Sequence, residues 1–266
     1  MQFIRVLASA GRKFLLGSAI GIVLSSGAGA GLPAQLPHGA FPAAVALSRG
    51  TNLSEFFCSG VLIHPNWVLT AAYCLGEELG EKPVYVHTIR SLVERAETRF
   101  RELAPAGTRD TFQTLGLVRL AQPIEKIPPA ELAKQSIESL IRSRSKKSAQ
   151  TGMVVGWGIT SAQQRIVPAP KYLPVVPLSL AECNSPTMYQ GKVPSNQFCA
   201  KSQTPGVDAC GGFGGAPLVL YNEDGIPLVH GIVMWGEGCG KLPTVYTDVS
   251  AGLNWIRETT RGEAGG

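Results

Sequence analysis

Short runs of β-branched and other apolar residues, separated by turn residues, recur along most of this chain. Glycine and proline, with 31 and 19 copies among 266 residues, supply many of the separating turns. Runs of this length between such breaks indicate strands, and examples are Val61–Ile63, Val84–Val86, Val154–Val155, Leu228–Val229 and Ile232–Met234. The pattern predicts an all-β barrel or sandwich.

Two segments are predicted to be helical. Ser250–Thr260 lies close to the end of the chain and has the clearest helical pattern. The segment Pro129–Arg142 also qualifies, because its apolar residues recur near one helical face, namely Leu132, Ile137, Leu140 and Ile141.

The first 30 residues have the layout of a signal peptide. Three basic residues precede an apolar run from Phe14 to Leu24, and small residues lead to an Ala-x-Ala site that ends at Ala30. The run is short for a membrane span, so we expect a secreted or extracytoplasmic protein with no transmembrane segment. Without these residues the chain has 21 basic and 19 acidic residues, a net charge of about +2, which gives no reason to expect a specific nucleic-acid partner.

Six cysteines in an exported chain indicate disulfides, although the sequence by itself leaves many pairings open. A metal site or a catalytic cysteine would need a histidine at a suitable spacing. None of the four histidines provides one, so we expect no metal and no cofactor.

Several motifs, in the same order along the chain, resemble those of the trypsin-like (chymotrypsin-fold, S1-type) serine peptidases. The first motif, Phe57–Cys74, is similar to the segment that ends, in active family members, in Thr-Ala-Ala-His-Cys. The others are Leu115–Leu120, Val154–Gly158, Asp208–Leu218, Gly231–Gly236, Pro243–Ser250 and Asn254–Ile256. The resemblance covers nearly all of residues 31–266 and implies a peptidase domain over that range.

The fold that this resemblance implies is a pair of six-stranded antiparallel β-barrels, at about 31–125 and 150–249, with a C-terminal helix at about 250–260. The resemblance also implies one disulfide pairing, which is Cys58 with Cys74, Cys183 with Cys199 and Cys210 with Cys239.

The three positions that carry catalysis in the family hold other residues here. Tyr73, Thr114 and Gly214 stand where active members have the histidine base, the aspartate and the serine nucleophile. Glycine has no oxygen with which to attack a carbonyl, and a phenol that titrates near pH 10 donates a proton at neutral pH rather than accepting one. Threonine cannot stabilise an imidazolium. The resemblance therefore implies a degenerate peptidase with no catalytic residue.

A fourth substitution affects activation. In active family members an aspartate just before the nucleophile pairs with a newly released N-terminus, whereas this chain has Phe213. No Ile-Val-Gly-Gly-like terminus follows the signal segment. A buried ammonium without its partner costs several kcal/mol, so the two losses are physically consistent.

The resemblance also implies remnants of a substrate site. Asp208 stands where trypsin-like members have the aspartate that receives lysine or arginine, and Trp235 and Gly236 match one wall of that pocket. Thr244 stands where a glycine commonly keeps the pocket open. If the pocket survives, Asp208 would be a partly buried carboxylate that can pair with a cation. If Thr244 or a neighbouring lysine fills the pocket, Asp208 has only a structural role, and we favour this second interpretation.

The glycines beside the nucleophile position have two interpretations. The N–H groups of Gly212 and Gly214 correspond to the oxyanion loop of the family and would still form an anion-accepting concavity. Alternatively, Gly211, Gly212, Gly214 and Gly215 only provide the positive φ angles and close contacts that the loop requires.

Three functions remain open at this point. The leading hypothesis is a secreted, non-catalytic serine protease homologue that binds an extracellular protein or a polyanion through the former substrate cleft or its rim loops. The second is an active trypsin-like endopeptidase that uses displaced groups such as His64, His87 or Asp110. The third is a polyanion-binding protein, and its binding cluster would be Arg142, Arg144, Lys146 and Lys147, although a solvated inter-barrel loop is the favoured interpretation of that cluster.

Overall fold

A computed structural model describes residues 41–76, 82–101, 115–143, 150–165 and 167–264. The predicted signal segment, Thr114, Asp110 and the basic residues at 144, 146 and 147 lie outside these ranges.

The first barrel contains six antiparallel strands. They are β1 (Ala44–Ser48), β2 (Phe56–His64), β3 (Trp67–Ala71), β4 (Tyr85–Thr88), β5 (Val93–Arg101) and β6 (Leu115–Leu120). Their order is β1-β2-β3-β6-β5-β4, and the pairing of β1 with β4 closes the barrel. The central strands β1 and β3 are buried along their whole length, whereas β5, rich in Arg and Glu, has no buried residue.

The second barrel also closes with six antiparallel strands. Chain order gives β7 (Glu131–Leu132), β8 (Gly152–Trp157), β9 (Pro170–Leu178), β10 (Gln197–Ser202), β11 (Pro217–Tyr221), β12 (Pro227–Trp235) and β13 (Thr244–Asp248). The closed order is β11-β8-β9-β10-β13-β12, because β12 pairs back with β11. The short β7 adds in parallel to β12. The predicted pair of six-stranded barrels is therefore confirmed.

Three α-helices lie in the described residues: α1 (Ile137–Ser143), α2 (Leu180–Cys183) and α3 (Val249–Thr259). The predicted C-terminal helix is confirmed as α3, which begins one residue earlier than predicted. The side chain of Asp248 caps α3 by accepting a hydrogen bond from Ser250 N at 2.9 Å. The predicted helix over 129–142 begins only at Ile137. The preceding residues 131–132 pair with β12 instead, and Asp248 Oδ2 accepts from Ile137 N at 2.8 Å. None of these helices is long and apolar enough to cross a membrane.

The predicted disulfide bonding is confirmed, and the pairs are those that the resemblance implies: Cys58–Cys74, Cys183–Cys199 and Cys210–Cys239. The first two span 16 residues each, so each stabilises the fold by about 3 kcal/mol in the chain-entropy model. Cys74 lies in a short 3₁₀-helix, Ala72–Leu75, directly after β3. This disulfide therefore anchors the segment that carries Tyr73.

Ser59 of β2 joins the two barrels beside the glycine-rich loop. Its N–H donates to Gly214 O at 2.7 Å, and its hydroxyl oxygen accepts from Trp157 N at 2.9 Å. The same hydroxyl lies 3.1 Å from Gly212 O, where it can donate. Ser59 is not among the predicted site residues, and its place within the Phe57–Cys74 motif is the only sequence signal for it. These bonds fix the glycine-rich loop of the second barrel against the first.

Candidate functional site

Tyr73 and Gly214 share one small space. A Cβ atom built on Gly214 would overlap the hydroxyl oxygen of Tyr73 and would lie 2.8 Å from its Cζ. Real Cβ atoms do not approach other heavy atoms this closely. The phenol therefore fills the volume in which any side chain at position 214 would begin.

The phenol of Tyr73 stays protonated at neutral pH. Tyr73 is 38 % exposed as a residue, but its hydroxyl lies against the backbone of Gly214. Burial raises its pKa to about 12, because the phenolate would lose hydration there. Tyr73 is thus a hydrogen-bond donor in this site and cannot act as a general base.

The chain turns sharply from Cys210 to Phe213. Phe213 N donates to Cys210 O at 3.0 Å, and Gly212 has a φ of +92°, a conformation that favours glycine. A Cβ at Gly212 would lie only 2.8 Å from both Gly158 Cα and Phe56 Cε2. Gly215 also has a positive φ, but Gly211 and Gly214 do not. The interpretation that all four glycines provide positive φ angles is therefore wrong for Gly211 and Gly214.

The N–H group of Gly212 has a defined direction. The preceding carbonyl, Gly211 O, accepts from Ile159 N at 2.9 Å. Since the C=O and N–H of a trans peptide point in opposite directions, Gly212 N–H points away from Ile159. Within the described ranges, neither this N–H nor that of Gly214 donates a hydrogen bond. The loop thus presents two backbone donors, and one of them, Gly214 N–H, belongs to the residue beside the phenol of Tyr73.

Phe213 is completely buried in an apolar cluster of the second barrel. Its ring closely covers two backbone positions, since Cβ atoms built on Gly156 and Gly158 would lie 3.0 and 2.8 Å from its Cδ atoms. Neighbours in the cluster include Val154, Phe198, Ala216 and Leu218. Phe213 is therefore an apolar anchor of the second barrel, and its correspondence to the activation aspartate of active family members stays a prediction.

The cleft beside Gly214 has a volume of about 240 Å³. Trp235, Gly236 and Thr244 line it, whereas Asp208 does not. Asp208 is only 3 % exposed, and its two carboxylate oxygens accept from Ala209 N at 2.8 Å and from Thr244 N at 3.0 Å. Burial raises the pKa of Asp208, and these hydrogen bonds oppose that rise. The carboxylate is therefore held by the backbone N–H groups of Ala209 and Thr244.

This arrangement predicts weak or undetectable binding of benzamidine by the unmodified protein. In Thr244→Gly, removal of the side chain opens the wall between the cleft and Asp208, and the amidinium can pair with the carboxylate. We expect affinity to increase about tenfold, as measured by calorimetry. Val233→Ala, which enlarges the cleft along an apolar wall, is the matched control. Micromolar binding by the unmodified protein would show that Asp208 is already accessible.

The two histidines predicted as displaced catalytic groups do not line the cleft. His87 is 3 % exposed in β4, and its Nε2 lies 2.7 Å from Ser48 Oγ and 3.1 Å from Gly50 O, within the first barrel. His64 Nδ1 accepts from Asn66 N at 3.3 Å in the turn after β2. Neither histidine lines the cleft, and Asp110 lies outside the described residues.

Of the predicted basic cluster, the structure describes only Arg142. Its guanidinium pairs with Glu138 at 3.1 Å along α1, and the other oxygen of Glu138 accepts from Leu180 N at 2.9 Å. Arg142 is thus part of a local surface ion pair, and the rest of the cluster stays a prediction.

The fold and the arrangement of this loop define a protein of the serine peptidase class. The trypsin family model matches residues 34–256, and the chain therefore belongs to the trypsin family.

Two comparisons describe this membership further. The chain is 28 % identical over 229 residues to the hepatocyte growth factor activator serine protease of Mus musculus, covering 79 % of this chain and about a third (34 %) of that protein. Its fold is similar to that of neuropsin, a serine protease expressed in the limbic system of mouse brain, with a TM-score of 0.66 and 28 % identity. That similarity covers 85 % of this chain and 96 % of neuropsin.

Proposed function

We propose that this protein is a secreted, non-catalytic member of the trypsin family that acts by binding an extracellular protein through the former substrate cleft. One observation carries the proposal: the phenol of Tyr73 fills the space that a nucleophilic side chain at Gly214 would need. Both named relatives are serine proteases, and this chain differs from active members at the residues on which their chemistry depends.

The retained features support binding rather than chemistry. The glycine-rich loop keeps its tight turn and a disulfide to the cleft rim at Cys239, and the N–H groups of Gly212 and Gly214 donate no hydrogen bond within the part of the chain that the structure describes. The cleft is open to a ligand and is lined by Trp235, an aromatic residue of the kind that contributes strongly to binding energy. Signal-peptide layout and disulfides support export.

The test of non-catalysis uses the purified mature protein. We expect no hydrolysis of peptide esters above the buffer rate and no labelling by a serine-directed phosphonate, because no side-chain oxygen at Gly214 can be acylated or phosphonylated. An active trypsin-family enzyme is the positive control. Stoichiometric labelling, or turnover that co-purifies with the protein, would contradict the proposal.

Binding through the cleft is tested separately. Immobilised protein should capture a partner from extracellular medium, and Trp235→Ala should abolish this capture. Ile226→Ala is the matched control, because Ile226 is an exposed apolar residue that does not line the cleft. Equal capture by both variants would place the binding surface elsewhere.

A further inference from the structure

The loop between β1 and β2 contains the sequence Asn52-Leu53-Ser54. This is the Asn-x-Ser/Thr pattern, with a middle residue other than proline, that accepts N-linked glycans in secreted proteins. None of the other five asparagines has a serine or threonine two positions further along the chain. The pattern is short enough to occur by chance, so the surroundings of Asn52 have to show whether this position suits the modification.

Asn52 and Ser54 are both exposed in this loop. Two backbone hydrogen bonds close the loop: Arg49 N donates to Glu55 O at 3.4 Å, and Glu55 N donates to Asn52 O at 3.2 Å. The guanidinium carbon of Arg49 also lies 5.8 Å from the ring centroid of Phe57, at the start of β2. These contacts give the loop a defined shape, so a glycan on the exposed Asn52 side chain would extend into solvent and displace no packed side chain.

The hydrogen bonding of Asn52 leaves its amide nitrogen available. Its Oδ1 accepts from Ser54 N at 3.0 Å and so caps the single-turn 3₁₀-helix Leu53–Glu55. Among the described residues, no group hydrogen-bonds to Asn52 Nδ2 or to the Ser54 hydroxyl. Glycosylation replaces one hydrogen of Nδ2 and leaves Oδ1 as an acceptor. The cap therefore survives the modification, and the folded loop accommodates it.

We propose that Asn52 carries an N-linked glycan in the exported protein. In the transfer, Asn52 Nδ2 attacks the anomeric carbon of an oligosaccharide that is bound to a polyprenyl diphosphate. The new C–N bond replaces the C–O bond to the diphosphate, which leaves with the bonding electron pair, and the amide nitrogen loses one proton. The inference rests on the export part of the proposed function, because this modification occurs in secreted proteins.

The test expresses the full chain in a eukaryotic cell line that N-glycosylates its exported proteins. Digestion with peptide-N-glycosidase should lower the mass of the protein by one glycan and leave aspartate at position 52, which mass spectrometry of the peptide detects. Asn52→Gln and Ser54→Ala should both lose this shift, whereas Ser54→Thr keeps the hydroxyl and should retain it. Asn196→Gln is the matched control, because Asn196 is exposed but lies outside such a pattern, and it should also retain the shift.

A second form of the protein, in which the signal of a known secreted protein replaces residues 1–30, separates modification from export. Absence of a glycan from both the secreted and the cell-associated chains of this form would overturn the inference, and so would a glycan that persists in Ser54→Ala. Neither Asn52 nor Ser54 lines the cleft, so the capture experiment with Trp235→Ala still tests the proposed function. Glycosylated protein that reaches the medium only with the replacement signal would support the site at Asn52 and overturn the export part of the proposed function.

Discussion

Replacing Phe213 by aspartate is expected to lower the free energy of unfolding by about 5 kcal/mol. The ring is fully buried in the apolar cluster of the second barrel. Its removal leaves a cavity, which for Phe→Ala costs roughly 3–5 kcal/mol, and the new carboxylate has no partner in this cluster. The measurement is urea unfolding followed by tryptophan fluorescence.

Two further variants make this result interpretable. Phe213→Leu keeps an apolar side chain and should lose less than about 1.5 kcal/mol, whereas Phe213→Ala should lose roughly 3–5 kcal/mol. If the aspartate variant were as stable as the leucine variant, an ammonium group would have to reach the carboxylate. That outcome would mean that the activation pair of the family can still form here.

Gly214→Ser alone is expected to restore no measurable turnover and to destabilise the protein by roughly 1–3 kcal/mol. The new Cβ overlaps the hydroxyl of Tyr73, and overpacking of this kind forces side chains out of their preferred rotamers. The variant also lacks a base and an orienting anion. Because the catalytic groups act as a unit, loss of the base alone removes about a factor of 10⁶. Ester hydrolysis and thermal unfolding measure the two effects.

Combining substitutions separates the steric effect from the chemical one. Tyr73→His with Gly214→Ser removes the overlap and supplies a base, so low turnover should appear. Addition of Thr114→Asp should then raise turnover by about 10⁴ if that residue reaches the histidine. Robust turnover in Gly214→Ser alone would reveal a base outside the predicted positions and would contradict the interpretation of Tyr73.

The sequence was sufficient for the family and the fold because both depend on many separate motifs. Strand-forming runs, the cysteine spacing and the block around Cys210 recur in a fixed order, and an error in one would leave the others intact. The predicted helix at 129–142 shows where local pattern fails. Its apolar spacing suits a helix, but residues 131–132 gain backbone hydrogen bonds from β12, a partner that is distant in sequence.

What the sequence determined by itself is the chemistry that each position can perform: glycine at 214 cannot attack a carbonyl, and a phenol at 73 is a weak base. The tertiary structure decided how these positions interact, because side-chain volume and hydrogen bonding act between residues far apart in the chain. Only there does Tyr73 fill the space beside Gly214. Only there does Asp208, which does not line the cleft, accept a hydrogen bond from the backbone of Thr244, which does.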